Sequence, residues 1–209
     1  MADWFRNKTW SEAIEVGFEA KLARARDKSQ YLKIQGYELL TVDPAVAARL
    51  LDRCASIDDH WRADALLYLG QARLQLGDLD GAVEALDAAI EQERRVTWAR
   101  TGARSDLALI VSFYKFTHRY SDVLPYLARS NLDLKAASAE DLAAEAMILA
   151  DVGEAGRARS LASEALRWLD GLTEGGDDQL KSAIGPGTGI SAAALVSRLK
   201  PISLCASGT

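Results

Sequence analysis

Apolar residues recur at intervals of three and four positions along almost the whole chain. This period keeps apolar side chains on one face of a helix, whereas a strand would need them at every second position. No stretch of the sequence sustains that alternation. Pro, which interrupts helices, occurs only 4 times in 209 residues. The pattern predicts an all-α fold of about nine or ten helices.

Residues that cap or break helices predict where individual helices begin and end. Thr9 and Glu12 form a capping-box pattern, which predicts a first helix from there to about residue 26. Asp43-Pro44 predicts the start of the third helix, because Pro is favoured at the first helical position.

Later in the chain, a sixth helix is expected over residues 98–117 and a seventh from Ser121. Pro125 would then lie in the first turn of the seventh helix, where no backbone N–H is needed. Residues 171–189 are rich in glycine and predict a loop. A short last helix is predicted to stop before Pro201.

Residues 63–94 form the clearest internal unit, with the sequence ADALLYLGQARLQLGDLDGAVEALDAAIEQER. Two helical halves flank Gly77, which can adopt the left-handed conformation that ends a helix. Small residues at Gly70 and Ala82 would let the two halves approach closely. The unit therefore predicts a helix–turn–helix pair.

This unit resembles the tetratricopeptide repeat over the full length of that repeat, about 34 residues. A second copy begins near residue 139 with Gly153 at its turn, and a degenerate unit between the two has His118 in place of the glycine. The opening DWFRNKTW followed by such a body also resembles bacterial proteins of this superfamily. The residues that carry the resemblance in the best unit are Leu66, Leu69, Gly70, Gly77, Asp78, Ala82, Leu86, Ala89 and Ile90.

The resemblance implies a right-handed α-solenoid of antiparallel helix pairs. Proteins of this kind bind a peptide or a protein helix in a concave groove lined by the first helix of each pair. A glycine-rich loop and a short C-terminal helix over residues 171–209 would follow the repeat domain. That domain would span residues 1–170, with the best repeat at 63–96, the second copy at 139–170, and degenerate units at 29–57 and 104–132.

The family's groove-facing positions can be transferred onto this sequence. They are Asp64, Leu67, Gln71, Leu74 and Gln75 in the best repeat, Ser105, Ala108, Ser112, Lys115 and Phe116 in the next, and Glu140, Ala143, Met147, Ala150 and Asp151 in the later copy. The alternative is that several of these residues pack against neighbouring helices. The lining lacks the Lys/Asn/Arg set with which some family members hold C-terminal carboxylates, which argues against that ligand class.

Four arginines crowd into one segment beside Trp98: Arg94, Arg95, Arg100 and Arg104. One interpretation is an anion or nucleic-acid patch with a stacking aromatic residue. The other is a set of solvated cations near the end of one helix and on the face of the next. The net charge of −5 argues against nucleic acid as a partner.

Tryptophans stand near helix ends or inside apolar stripes. Trp10, Trp61, Trp98 and Trp168 are predicted to fill junctions between helices. Trp4 and Phe5 precede the first helix, where they would either fix the N-terminal segment or contact a partner.

Residue patterns typical of catalysis are missing from the sequence. His60 and His118 have no Ser or Cys in a recognisable motif, and Cys54 and Cys205 lack metal-ligand spacing. Residues 185–191 resemble a phosphate loop only superficially, because Ile190 stands where the motif needs Lys. We therefore expect no catalytic residue, no metal and no cofactor.

The sequence thus favours a non-enzymatic protein-interaction module that binds another protein or peptide. Two alternatives remain: a toxin-neutralising immunity-type protein, and a regulatory or nucleic-acid-associated protein acting through Arg94–Arg104. Homodimer formation is also left open. The N-terminus lacks a signal peptide's apolar stretch, and the apolar run at 107–116 is too short to cross a membrane. We therefore expect a cytoplasmic protein with no membrane partner.

Overall fold

The computed structural model describes residues 3–96, 100–132, 138–173 and 188–204. These residues form ten α-helices and one 3-10 turn (Thr117–Arg119), with no strand among them, so the all-α prediction is confirmed. The helices are α1 (Glu12–Leu22), α2 (Lys28–Leu39), α3 (Pro44–Ala55), α4 (Arg62–Gln75), α5 (Leu79–Arg95), α6 (Ala103–Phe113), α7 (Tyr120–Leu132), α8 (Ala139–Asp151), α9 (Ala155–Thr173) and α10 (Ala192–Leu204).

Side-chain caps explain several helix starts. The predicted start of α3 is confirmed, because the Asp43 side chain accepts a hydrogen bond from the backbone N–H of Val46 and Pro44 is the first helical residue. The capping box at Thr9 is wrong. Ser11 caps α1 instead, accepting from the N–H of Ile14.

Three other predicted helix limits are wrong. α6 spans Ala103–Phe113 rather than 98–117, and residues 97–99 lie outside the described part of the chain. α7 begins at Tyr120, which puts Pro125 in its second turn, inside the helix. α10 continues through Pro201 to Leu204 instead of stopping before the proline. A proline inside a helix removes one hydrogen bond, and both helices accept that loss.

One turn geometry recurs along the chain. Gly77, Lys115 and Gly153 all have positive φ, at 78°, 59° and 89°. Lys115 lies 38 residues after Gly77 and 38 residues before Gly153. The assignment of the middle turn to His118 is therefore wrong, since His118 lies in the 3-10 turn that follows.

The backbone hydrogen bonds of the three turns are also the same. In each, the residue after the left-handed position donates to a carbonyl five residues back, which satisfies an unpaired carbonyl of the preceding helix. The three bonds run from Asp78 to Arg73 (2.9 Å), from Phe116 to Val111 (2.9 Å) and from Glu154 to Leu149 (2.8 Å). The helix pairs α4–α5, α6–α7 and α8–α9 are thus each connected by a turn of the same type.

The chain forms two compact units, Met1–Ala103 (unit 1) and Arg104–Thr209 (unit 2). In unit 1, helices adjacent in sequence from α2 to α5 pack together. Glycines allow two of these contacts: a Cβ at Gly36 would lie 2.6 Å from the Cγ of Leu51, and one at Gly70 would lie 2.9 Å from the Cγ of Leu86. The predicted role of Gly70 in close helix approach is confirmed.

The N-terminal segment of unit 1 is attached to α2. The buried Gln35 side chain accepts from the backbone N–H of Asn7 (3.0 Å) and donates to its carbonyl (2.9 Å). The rings of Trp4 and Phe5 each lie 4.9 Å from that of Tyr31. Both aromatic residues therefore hold the segment in place within the protein.

In unit 2, α8 packs against α9, and α10 packs against both. Leu195 and Leu199 of α10 are completely buried in a core that they share with Met147 and Leu169. The C-terminal helix is therefore an integral part of unit 2.

Candidate partner-binding site

A pocket of about 280 Å³ opens in unit 2 (hereafter the unit 2 pocket). Its lining residues are Ser112, Lys115, Met147, Ala150, Asp151, Ser197, Arg198, Pro201 and Ile202. The first five are groove positions that the sequence predicted on two helix pairs, and the structure brings them together. The last four belong to α10 and were missed: nothing local in the sequence relates this helix to the others, and Pro201 and Ile202 were also placed beyond its end.

An ion pair links the turn after α6 to the end of α8. The Nζ of Lys115 donates to Oδ1 of Asp151 at 2.7 Å, and the hydroxyl of Tyr120 donates to Oδ2 at 2.7 Å. Burial disfavours the charged form of Asp151, but the hydrogen bonds from Lys115 and Tyr120 outweigh it and lower its pKa. Burial and the same hydrogen bond raise the pKa of Tyr120, so the tyrosine stays a donor.

Lys115 has an unusual backbone conformation for its residue type. Among the described residues it is the single non-glycine residue with positive φ. This conformation costs an L-residue about 1–2 kcal/mol. The conformation is held by the hydrogen bond from Phe116 to Val111 and by the ion pair with Asp151. It also positions the ammonium group of Lys115 at the unit 2 pocket.

Arg198 joins α10 to the end of α6. One of its terminal nitrogens donates to the carbonyl of Phe113 at 3.3 Å, and its guanidinium carbon lies 5.1 Å from the centroid of the Phe113 ring. Phe113 is the last residue of α6, where helix carbonyls lack partners within the helix. Arg198 is nevertheless exposed and lines the pocket.

The pocket combines a buried floor with a charged rim. Ser112 is 2% exposed and donates to the carbonyl of Leu109, while Met147 is 5% exposed and belongs to the core. Lys115 and Arg198 are exposed. Predicted groove residue Phe116 is half-buried beside His118 and does not line the pocket.

The predicted groove residues of unit 1 have a different environment. Leu67, Gln71 and Leu74 are buried, whereas Gln75 is exposed. Asp64 is half-buried and pairs with Lys33 at 3.5 Å. The three buried side chains therefore contribute to packing inside unit 1.

The basic segment has mixed surroundings. Arg94 is exposed and pairs with Glu91 at 3.2 Å, and Arg95 and Arg100 are also exposed. Arg104 is half-buried, with its guanidinium carbon 6.0 Å from the ring centroid of Tyr126. Trp98, which was expected to stack beside them, lies outside the described residues.

The tryptophan predictions are confirmed in part. Trp10 is half-buried with its ring 5.6 Å from that of Phe18, and Trp61 is half-buried with its ring 3.6 Å from the Nζ of Lys33. For Trp168 the packing prediction is wrong, since its side chain is 51% exposed on α9. The buried stripe of α9 is formed by small residues and Leu169, and Trp168 lies outside it.

Comparisons with known protein families, characterised proteins and solved structures gave no match. Over the described ranges, no helix combines the length and apolar character needed to cross a membrane. In the same ranges, His, Cys, Asp and Glu side chains do not form a group of three that could hold a metal ion.

Proposed function

We propose that this chain is a non-enzymatic interaction module of the tetratricopeptide-like type, an α-solenoid that binds a peptide or protein segment of its partner. The unit 2 pocket is the observation that carries the proposal, because apolar walls and charged groups meet at one opening. Binding sites are typically concave and apolar, with a few polar groups at defined positions.

The repeated turn supports the assignment of helix-pair repeats. The left-handed residues Gly77, Lys115 and Gly153 follow one another at intervals of 38 residues with equivalent hydrogen bonds. Repeats of paired helices have periods of about 33 to 47 residues. In such arrays the first helices of successive pairs line a shared binding surface.

The geometry of the polar groups also favours binding. Lys115 and Asp151 are held by their mutual ion pair, and Arg198 is held against Phe113. Ordering a long side chain on binding costs about 0.5–1.5 kcal/mol, and part of that cost is already met in the free protein. A partner would therefore encounter a largely preformed site.

Photo-crosslinking tests the proposal. Ser197, exposed at the pocket, would be replaced by a photoreactive phenylalanine derivative, and exposed Ser160 of α9 would be replaced in a matched control. In lysate of the cells in which the protein naturally occurs, we expect the variant with the probe at position 197 to crosslink to a partner protein, and the variant with the probe at position 160 not to do so. The partner would then be purified and its Kd for the full chain measured. Crosslinks of equal yield at both positions, or no saturable binding by the purified partner, would overturn the proposal.

A further inference from the structure

We infer that the unit 2 pocket binds an Asp or Glu side chain of the partner together with an adjacent apolar side chain. The inference rests on the proposed function and specifies the chemistry of the bound segment. It derives from the unequal charge at the pocket and from the residues that surround that charge.

The charges at the pocket do not cancel. Asp151 uses one carboxylate oxygen for Lys115 and the other for Tyr120, so its negative charge is already engaged. Arg198 donates to the carbonyl of Phe113 and has no carboxylate within ion-pair distance among the described residues, although its charge also helps to lower the pKa of Asp151. Two cations thus face one anion, and the pocket carries a net positive charge from the exposed guanidinium.

A guanidinium selects among anions by its shape. Its planar set of N–H donors matches the two oxygens of a carboxylate or those of a phosphate. Here the lining residues carry one net positive charge, which a singly charged carboxylate neutralises. A doubly charged phosphate would leave an uncompensated negative charge beside Asp151 and the apolar side chains of the pocket, which is unfavourable. An Asp or Glu side chain is therefore the better-matched anion.

The other lining residues are mostly apolar and favour contact with an apolar side chain of the partner. Ala150, Pro201 and Ile202 place carbon atoms around the opening, and Met147 lies in the floor beneath them. The unbranched thioether of Met147 can adjust to side chains of different shape. At about 280 Å³ the pocket lies just below the size of sites for drug-sized molecules, which suits one or two side chains of an extended segment.

Selection from a peptide library tests this chemistry. The probe is a bead-displayed set of peptides with six randomised positions, acetylated and amidated so that chain ends carry no charge. The proteins are the full wild-type chain, Arg198→Gln and Lys200→Gln. Lys200 is exposed on the same helix but does not line the pocket, so it controls for the loss of one positive charge. Thermal melts of all three proteins verify folding.

We expect the wild type and Lys200→Gln to enrich peptides in which Asp or Glu adjoins Leu, Ile, Val or Phe, and Arg198→Gln to lose that preference. Replacing the acidic residue of a selected peptide by its amide should weaken binding at least tenfold, and raising the salt concentration should weaken it further. A phosphoserine in the same position should bind less well than the carboxylate. Absence of an acidic preference, equal binding of the amide peptide, or tighter binding of the phosphopeptide would overturn the inference.

A blocking variant separates this inference from the proposed function. Ser197→Trp would fill the pocket from an exposed position. If peptides without acidic residues bind the wild type and are lost in Ser197→Trp, the pocket is a binding site and only the carboxylate chemistry is wrong. If no peptide binding responds to Ser197→Trp, both the inference and the proposed pocket fail.

Discussion

Lys115 and Asp151 form an ion pair of 2.7 Å between a residue in the left-handed backbone conformation and the last residue of α8. The equivalent turns of the neighbouring helix pairs use Gly77 and Gly153 at this position. Glycine would adopt the conformation without strain. The lysine therefore adds backbone strain to the middle turn and, in the same position, supplies the pocket with an ammonium group.

Replacing Lys115 should separate backbone strain from side-chain contact. Lys115→Gly removes an unfavourable φ worth about 1–2 kcal/mol and an exposed ion pair worth about 0–1 kcal/mol. We expect its free energy of unfolding to equal or exceed that of the wild type, and Lys115→Ala to be less stable than Lys115→Gly by about 1 kcal/mol. Urea denaturation measures both. A glycine variant less stable than the alanine variant would show that the turn is not strained at this residue.

At the turns that already contain glycine, we expect substitution to destabilise the protein. A methyl group at Gly77 or Gly153 would meet no atom within 4 Å, so the effect of an alanine there reports the backbone alone. We expect Gly77→Ala and Gly153→Ala each to lower the free energy of unfolding by about 1 kcal/mol. Gly17→Ala, in the middle of α1 and also without a close neighbour, should raise it by about 0.5–1 kcal/mol. The prediction is wrong if all three substitutions act in the same direction.

The charge on Asp151 should stabilise the folded protein, and this contribution should be lost at acidic pH. Its pKa in the folded protein lies below the ordinary value of 3.8, so its contribution is present above that pH and is lost as pH falls through the lowered value. The Tm difference between wild type and Asp151→Asn should therefore be largest near neutral pH and shrink as the pH falls below 3.8. Asp52→Asn, at an exposed position of α3 without an ion pair in the described residues, is the control. A Tm difference that stays constant with pH would contradict the role of the charge.

Cys54 should be unreactive in the folded protein. Its side chain is completely buried, and burial together with the charge of Asp59 raises the pKa of the thiol to about 12. Because the thiolate is the reactive form, labelling by a thiol reagent at pH 8 should await unfolding. The measurement uses the Cys205→Ser variant, in which Cys54 is the remaining cysteine, with and without denaturant. Rapid labelling without denaturant would show that this part of unit 1 opens readily.

The fold class and many helix ends could be predicted because local chemistry determines them. Asp43-Pro44 begins α3, and Gly77 and Gly153 end α4 and α8 as their residue types suggest. The turn at Lys115 was missed because lysine seldom adopts positive φ. A signal for it exists, since position 115 lies midway between the two turn glycines.

The part of the candidate site that precedes α10 could be predicted from the sequence, and the part on α10 could not. The repeat pattern expected from the sequence relates Ser112 and Lys115 to the lining residues of α8, but nothing local relates them to α10. Pro201 suggested that the last helix ends early, whereas burial of Leu195 and Leu199 stabilises a helix that extends beyond the proline. Tertiary packing outweighs the local cost of one proline here.

Charge reversal at the pocket tests the central claim most directly. Titration calorimetry would compare the wild type, Arg198→Glu and Lys200→Glu against the purified partner identified by crosslinking. We predict that Arg198→Glu weakens the Kd at least tenfold, while Lys200→Glu, on the same helix but outside the pocket lining, changes it less than threefold. Equal weakening by both variants, or no effect of Arg198→Glu, would contradict the assignment of the unit 2 pocket as the binding site.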